Sequence, residues 1–195
     1  MDIVDIRADL PRVPDNDPQP LTQVKTDWIL HYQGNDVDRD LSDEDAKDLA
    51  LRDAKEHIAR DWDSQYPGVQ GGGGLMYHYM IAPSGTVFKT RDETDYLWNC
   101  GNDKGNRCGV AVQVQCGPNT PPTDAQLFSL TLLIATHPEF NVTGNRDWSS
   151  TQCPGERLYA YITGKEYEMN YEAFMKWFLQ ACEPCLLLRL HTYAP

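Results

Sequence analysis

Trp28-Ile29-Leu30-His31-Tyr32 is an apolar and aromatic run closed by Gly34-Asn35, and from Ser42 an alanine, leucine and isoleucine pattern continues to Ile58. The first segment reads as a short buried strand with His31 near its C-terminal end. The second reads as an amphipathic helix, with Ser42 as its cap and Glu44-Asp45 as acidic residues of its first turn. Further along, Met76 to Ile81 and Thr86 to Lys89 flank Pro83-Ser84-Gly85, a strand-turn-strand signal. In Gly109 to Gln115, Val110, Val112 and Val114 alternate with Ala111, Gln113 and Gln115, which predicts a strand with valines on a packed face and glutamines opposite. A helical pattern then starts at Thr123 and runs to about His137, stopped by Pro138, and residues 156 to 163 and 171 to 182 suggest two shorter helices. Strands interspersed with helices predict an α/β fold, a central mixed sheet covered by helices. The order of strands in that sheet is not legible from the pattern.

The chain has 195 residues, enough for one domain with a substantial core. Residues 1–20 carry four prolines among acidic residues and predict an extended N-terminal arm. Residues 21–182 then hold the domain and 183–195 a tail. Four consecutive glycines predict a flexible loop over Pro67 to Gly74. The formal charge of −12 opposes binding to a phosphate backbone, so nucleic acid is not an expected partner. No apolar run approaches the roughly 20 residues that cross a bilayer. Met1 to Asp5 lack the basic and apolar regions of a secretory signal, so the expected location is cytoplasmic until release by lysis. Six cysteines at 100, 108, 116, 153, 182 and 185 are too sparse for a disulfide scaffold and read as reduced. Cys182-Glu183-Pro184-Cys185 resembles half of a zinc ribbon without its second half, and a local disulfide or two ordinary thiols is the simpler reading.

Several pieces occur in a recognisable order: Asp5-Ile6-Arg7 to Leu10-Pro11, then Trp28 to Tyr32, Tyr77-His78-Tyr79-Met80-Ile81 to Gly85-Thr86-Val87, Asn106 to Gly117, and Gly144 to Gly155. In this order the chain resembles the zinc-dependent N-acetylmuramoyl-L-alanine amidases, a family shared by phage endolysins and peptidoglycan recognition proteins. The resemblance implies the peptidoglycan recognition protein-like amidase fold. It also implies hydrolysis of the amide between N-acetylmuramic acid and the L-alanine of the stem peptide, with bacterial peptidoglycan as partner and Zn2+ as cofactor. The family's zinc ligands are a histidine ending the first strand, a histidine in a Gly-His-Arg-Asp type loop and a cysteine eight residues later in a Cys-Pro turn. These positions correspond to His31, Asn145 and Cys153. Two imidazoles and a thiolate leave one position open for a water whose pKa falls towards neutrality. Tyr77 matches a tyrosine that positions the attacking water or developing oxyanion, and Thr151 a position that is lysine or threonine in relatives.

Taken singly, a histidine at a strand end is often a hydrogen-bonded structural residue and a lone cysteine a small core hydrophobe. The ordered set of motifs shifts His31 and Cys153 towards a ligand role. Asn145 leaves three readings open: a weak oxygen ligand, replacement by another group such as Asp147 or His137, or a disabled site that binds peptidoglycan without cutting it. Asn99, where the family often has histidine after the tryptophan, and Gln113, where some relatives carry glutamate, also differ from the pattern. His57 and His137 fall on predicted helices and read as packing or surface residues. His78 points to the sheet face opposite Tyr77. Three functions compete: a lytic amidase of phage or prophage type, a peptidoglycan-binding domain without turnover, and, more remotely, a redox or structural protein using Cys182 and Cys185.

Overall fold

A computed structural model describes residues 3–61 and 71–164. Met1–Tyr159 form one compact unit and Ala160–Pro195 a second, of which residues 160–164 are described. The predicted helix over 171 to 182, the Cys182 and Cys185 pair and His191 lie outside the described residues.

Among the described residues six strands, β1 (Ile3–Asp5), β2 (Asp27–Tyr32), β3 (Tyr79–Ile81), β4 (Val87–Lys89), β5 (Gly109–Val114) and β6 (Asn141–Gly144), form one sheet in the order β1-β4-β3-β5-β2-β6. All neighbours are parallel except the β3–β4 hairpin, so the sheet is mixed. Among the described residues four helices accompany it: α1 (Asp43–Ala59), α2 (Asp103–Cys108), α3 (Asp124–Ile134) and α4 (Glu156–Ile162). Among the described residues no helix is long and apolar enough to cross a membrane.

The helix termini follow the sequence signals. Ser42 Oγ accepts the Asp45 N–H at 3.2 Å, and Asp43, Glu44 and Asp45 place negative charge at the positive end of the α1 dipole. Thr123 and Gln126 close a reciprocal capping box at α3, which ends at Ile134 rather than at His137.

The sequence anticipated one packed face on β5, but all six of its residues are buried. A strand between two parallel neighbours in a layered α/β fold is covered on both faces. Gln113 and Gln115 face α1, where the Gln115 side chain donates to the Ala46 carbonyl at 2.8 Å. Ala46, Ala50 and Ala54 pack with Ile6, Leu10, Leu75, Met80 and Phe88 on this side. Small residues on α1 let the helix approach the sheet closely enough for the glutamine amide to reach helix backbone.

Two other segments differ from expectation. Within the extended arm, Ile3–Asp5 join the sheet as an edge strand parallel to β4, because the prolines begin only at Pro11 and leave these N–H groups free to pair. Of the glycine-rich loop, residues 71–74 are described and are held in place: Gly71 N and Gly72 N donate to the Arg60 and His57 carbonyls, and Val13 N donates to Gly73 O. A Cβ at Gly73 would stand 1.9 Å from an Asp17 carboxylate oxygen, so close approach rather than freedom explains that glycine. Asp17 itself is fully buried against Arg91, with Nη2 to Oδ1 at 2.8 Å, and Arg91 also reaches Asp95 and the Leu75 carbonyl.

Candidate metal and substrate site

β2 and β5 run in parallel register, with His31 opposite Gln113, so both side chains leave the same sheet face near the C-terminal ends of the strands. β6 ends at Gly144 beside Leu30 and hands the chain to a 3-10 turn, Asn145–Asp147. The following turn returns through Thr151 to Cys153. This turn is held by Arg146 N donating to Cys153 O at 2.8 Å and by Cys153 N donating to Thr151 Oγ1 at 3.2 Å. Gly144 is required by packing, since a Cβ there would meet Pro154 at 2.7 Å and Tyr159 at 2.9 Å.

These turns bring His31 and Cys153, 122 residues apart in sequence, together: Cys153 Sγ lies 3.7 Å from His31 Nδ1. Two ligands on one tetrahedral zinc, sulfur at about 2.3 Å and nitrogen at about 2.0 Å, would be separated by ~3.6 Å. The other ring nitrogen, His31 Nε2, faces Asn99 Oδ1 at 3.2 Å. Asn99 spends its amide N–H on the Leu97 carbonyl, which leaves the oxygen to accept from Nε2–H. That tautomer leaves the Nδ1 lone pair towards the sulfur, as an outer-shell partner does for a metal-binding histidine. Asn106 Oδ1 fixes the Asn99 loop by accepting both the Asn99 and Cys100 N–H groups at 2.9 Å.

Burial governs the protonation of the pair. Loss of hydration pulls the His31 imidazole down to about 4 and pushes the Cys153 thiol up to about 11, so both are neutral at pH 7. A metal ion entering here must displace the thiol proton.

Asn145, which the resemblance aligns with the third ligand, does not offer the donor that a zinc set would need. Its side-chain amide donates towards Cys153, and its oxygen accepts from Ser149 Oγ at 3.2 Å. The group offered to the cleft is therefore a neutral amide whose oxygen already has a partner, a poor zinc donor beside imidazole and thiolate. Neither substitute ligand moves in. Asp147 is committed to Gly144 N at 2.8 Å and Tyr159 OH at 2.6 Å, while His137 stacks on Phe140 and pairs with Glu93. Among the described residues no cluster of three or more His, Cys, Asp or Glu side chains is placed to hold a metal. The residues present thus fit two zinc positions and fail at the third.

Tyr77 lies against this pair, its ring centroid 5.0 Å from that of His31, and burial raises its phenol well above the usual value. On its other side Tyr77 meets His57 of α1 edge-on at 5.6 Å, and His57 Nδ1 accepts the Met76 N–H. Tyr77, His57 and Gln113 line a cavity of 710 Å³ between α1 and the segment 33–41 after β2. His57, read from sequence as a packing or surface residue, is thus part of the groove wall. His78 does point away from Tyr77 and is wholly buried, with its ring bonded to the Ala111 N–H and the Asp95 carbonyl. Cys100, Cys108, Cys116 and Cys153 are free thiols. Sequence reasoning missed Asn99 as the partner of His31, and Gln33 and Asp53 in the groove. The only signal was that Asn99 follows Trp98 where the family often has histidine.

A family model described as N-acetylmuramoyl-L-alanine amidase matches residues 28–156. A comparison with curated proteins finds no match. Solved structures with this fold include Drosophila peptidoglycan recognition protein SD, 18% identical with TM-score 0.65, covering 84% of this chain and 94% of that one. Drosophila PGRP-LB is 19% identical with TM-score 0.62, covering 83% and 92%. The endolysin N-acetylmuramoyl-L-alanine amidase LysCS from Clostridium intestinale is 17% identical with TM-score 0.53, covering 84% and 94%. The family match spans β2 to the start of α4, including His31, Tyr77, Asn145 and Cys153, and the chain belongs to the N-acetylmuramoyl-L-alanine amidase family.

Proposed function

We propose that this chain recognises the muramyl-peptide part of bacterial peptidoglycan in the cavity between α1 and Tyr77, with zinc-dependent cleavage impaired by Asn145. The observation that carries this reading is the 3.7 Å approach of His31 Nδ1 and Cys153 Sγ beside an asparagine whose amide faces the sulfur. On this reading His31 and Cys153 are close enough to share a zinc ion, and the third position carries a neutral amide. The groove beside them is intact and large enough for a stem peptide. One relative of this fold, PGRP-LE, was solved in complex with tracheal cytotoxin, a monomeric diaminopimelic acid-type peptidoglycan, and this supports the choice of ligand.

A second reading is a lytic amidase of phage or prophage endolysin type, held in the cytoplasm until lysis and acting on the cell wall with Zn2+. It is favoured by the retained histidine and cysteine pair and by Tyr77 and Thr151 at their family positions. Calorimetry with a soluble muramyl tripeptide, combined with chromatography of released stem peptide, separates the two. Binding without release supports the first reading, and zinc-stimulated release by the unaltered chain supports the second. Absence of binding contradicts both.

A further inference from the structure

The cavity carries a strong charge asymmetry. Six carboxylates line it (Asp36, Asp38, Asp45, Asp48, Asp53 and Glu56) against two guanidinium groups, Arg52 and Arg60. Surface carboxylates alone say little, but Asp53 is different. It sits on the sheet-facing side of α1 with 8% of its surface exposed, and burial pushes its carboxyl up. Its hydrogen-bonding partners are neutral amides: Gln33 Nε2 donates to both of its oxygens at 3.0 and 2.8 Å, and Gln113 also donates to it. A buried carboxylate held by amides rather than by a cation is costly to keep ionised.

The two glutamines supply a second, independent observation. Having turned their N–H groups towards Asp53, they leave Gln33 Oε1 and Gln113 Oε1 buried without a hydrogen-bond partner. Gln113 is only 2% exposed and lines the cavity. Buried acceptors of this kind call for a donor. All three residues line the groove, and together their carboxylate and two unpartnered carbonyl oxygens match a group that carries a positive charge and several N–H bonds.

We propose that Asp53, Gln33 and Gln113 form a subsite for an ammonium group of the bound stem peptide, making the groove selective for peptides with a free side-chain amine. The inference rests on the peptidoglycan-binding reading and names the ligand chemistry of that groove. A three-donor ammonium would satisfy both orphaned oxygens and give Asp53 a hydrogen-bonded counter-charge, where Arg52 acts on it only through space.

The test compares N-acetylmuramoyl-L-alanyl-γ-D-glutamyl-L-lysine with its Nε-acetyl derivative, which keeps the side chain and removes the charge. Calorimetry is run on the full chain and on Asp53→Asn, a near-isosteric change that also removes the cost of a buried charge and so should fold. Acetylation is expected to weaken binding to the unaltered chain about tenfold, roughly 1.4 kcal/mol, and to leave binding to Asp53→Asn nearly unchanged. Glu139→Gln, an exposed carboxylate outside the groove, should keep the discrimination. Equal affinity of the unaltered chain for both peptides overturns the subsite while sparing the peptidoglycan reading. Failure of both peptides to bind overturns the subsite and the peptidoglycan reading together, and discrimination that survives in Asp53→Asn overturns the residue assignment.

Discussion

Lowering the pH should unfold this protein through histidines that the fold buries in neutral form. His31 and His57 are each depressed by burial from 6.5 to about 4. In the unfolded chain both take up a proton near pH 6.5, and in the folded chain only near 4. Their stabilising contribution is therefore complete above pH 6.5 and is lost as pH falls from there towards 4. Between pH 7 and pH 5 the proton-binding difference amounts to about 2 kcal/mol for each histidine, or about 4 kcal/mol for the pair. That is a large part of the ~5–15 kcal/mol that holds a typical domain folded. Asp53 opposes the trend, because a carboxyl with a raised folded pKa favours the folded state as it protonates. The contribution of one histidine is isolated by His57→Gln, with urea unfolding of both proteins at pH 7 and pH 5 in the presence of a chelator. The variant should lose about 2 kcal/mol less than the unaltered chain over that interval. Identical losses in the two proteins would refute the assignment of His57 as a buried neutral group.

Two further perturbations probe the scaffold. Arg91→Met should cost about 3–5 kcal/mol in urea unfolding, because it leaves the fully buried Asp17 carboxylate with Arg12 as its remaining ionic partner; a loss below 1 kcal/mol would show that the N-terminal segment is not anchored through this pair. Gly144→Ala should cost about 1–3 kcal/mol and shift Cys153, because the added methyl would stand 2.7 Å from Pro154. Thiol alkylation of Cys153 at fixed pH should accelerate in that variant.

Elements with local signals were legible and those made by tertiary contact were not. β2, β5, α1 and α3 declared themselves through apolar runs and caps at Ser42 and Thr123, interactions made within a few residues. β6 reads Asn141-Val142-Thr143-Gly144, with one apolar side chain and little burial, and it is a strand because β2 offers it a parallel edge. α2, Asp-Lys-Gly-Asn-Arg-Cys, has no apolar stripe and depends on the Asn102 cap and on Asn106 bonding the loop before it. In the candidate site, the order of motifs pointed to His31, Tyr77 and Cys153, and the fold brings these three side chains together. Asn99 as the histidine's partner, and Gln33 and Asp53 as one unit, were not legible, because the contacts join residues 68 and 20 apart with no spacing rule to reveal them.

Zinc content and cell-wall lysis of the unaltered chain and of Asn145→His test the account at its centre. With imidazole restored beside His31 and Cys153, the variant should hold one zinc per chain where the unaltered protein holds markedly less, and should release stem peptide faster. Equal zinc stoichiometry and equal lysis in the two proteins would contradict the account, because position 145 would then have no part in metal binding.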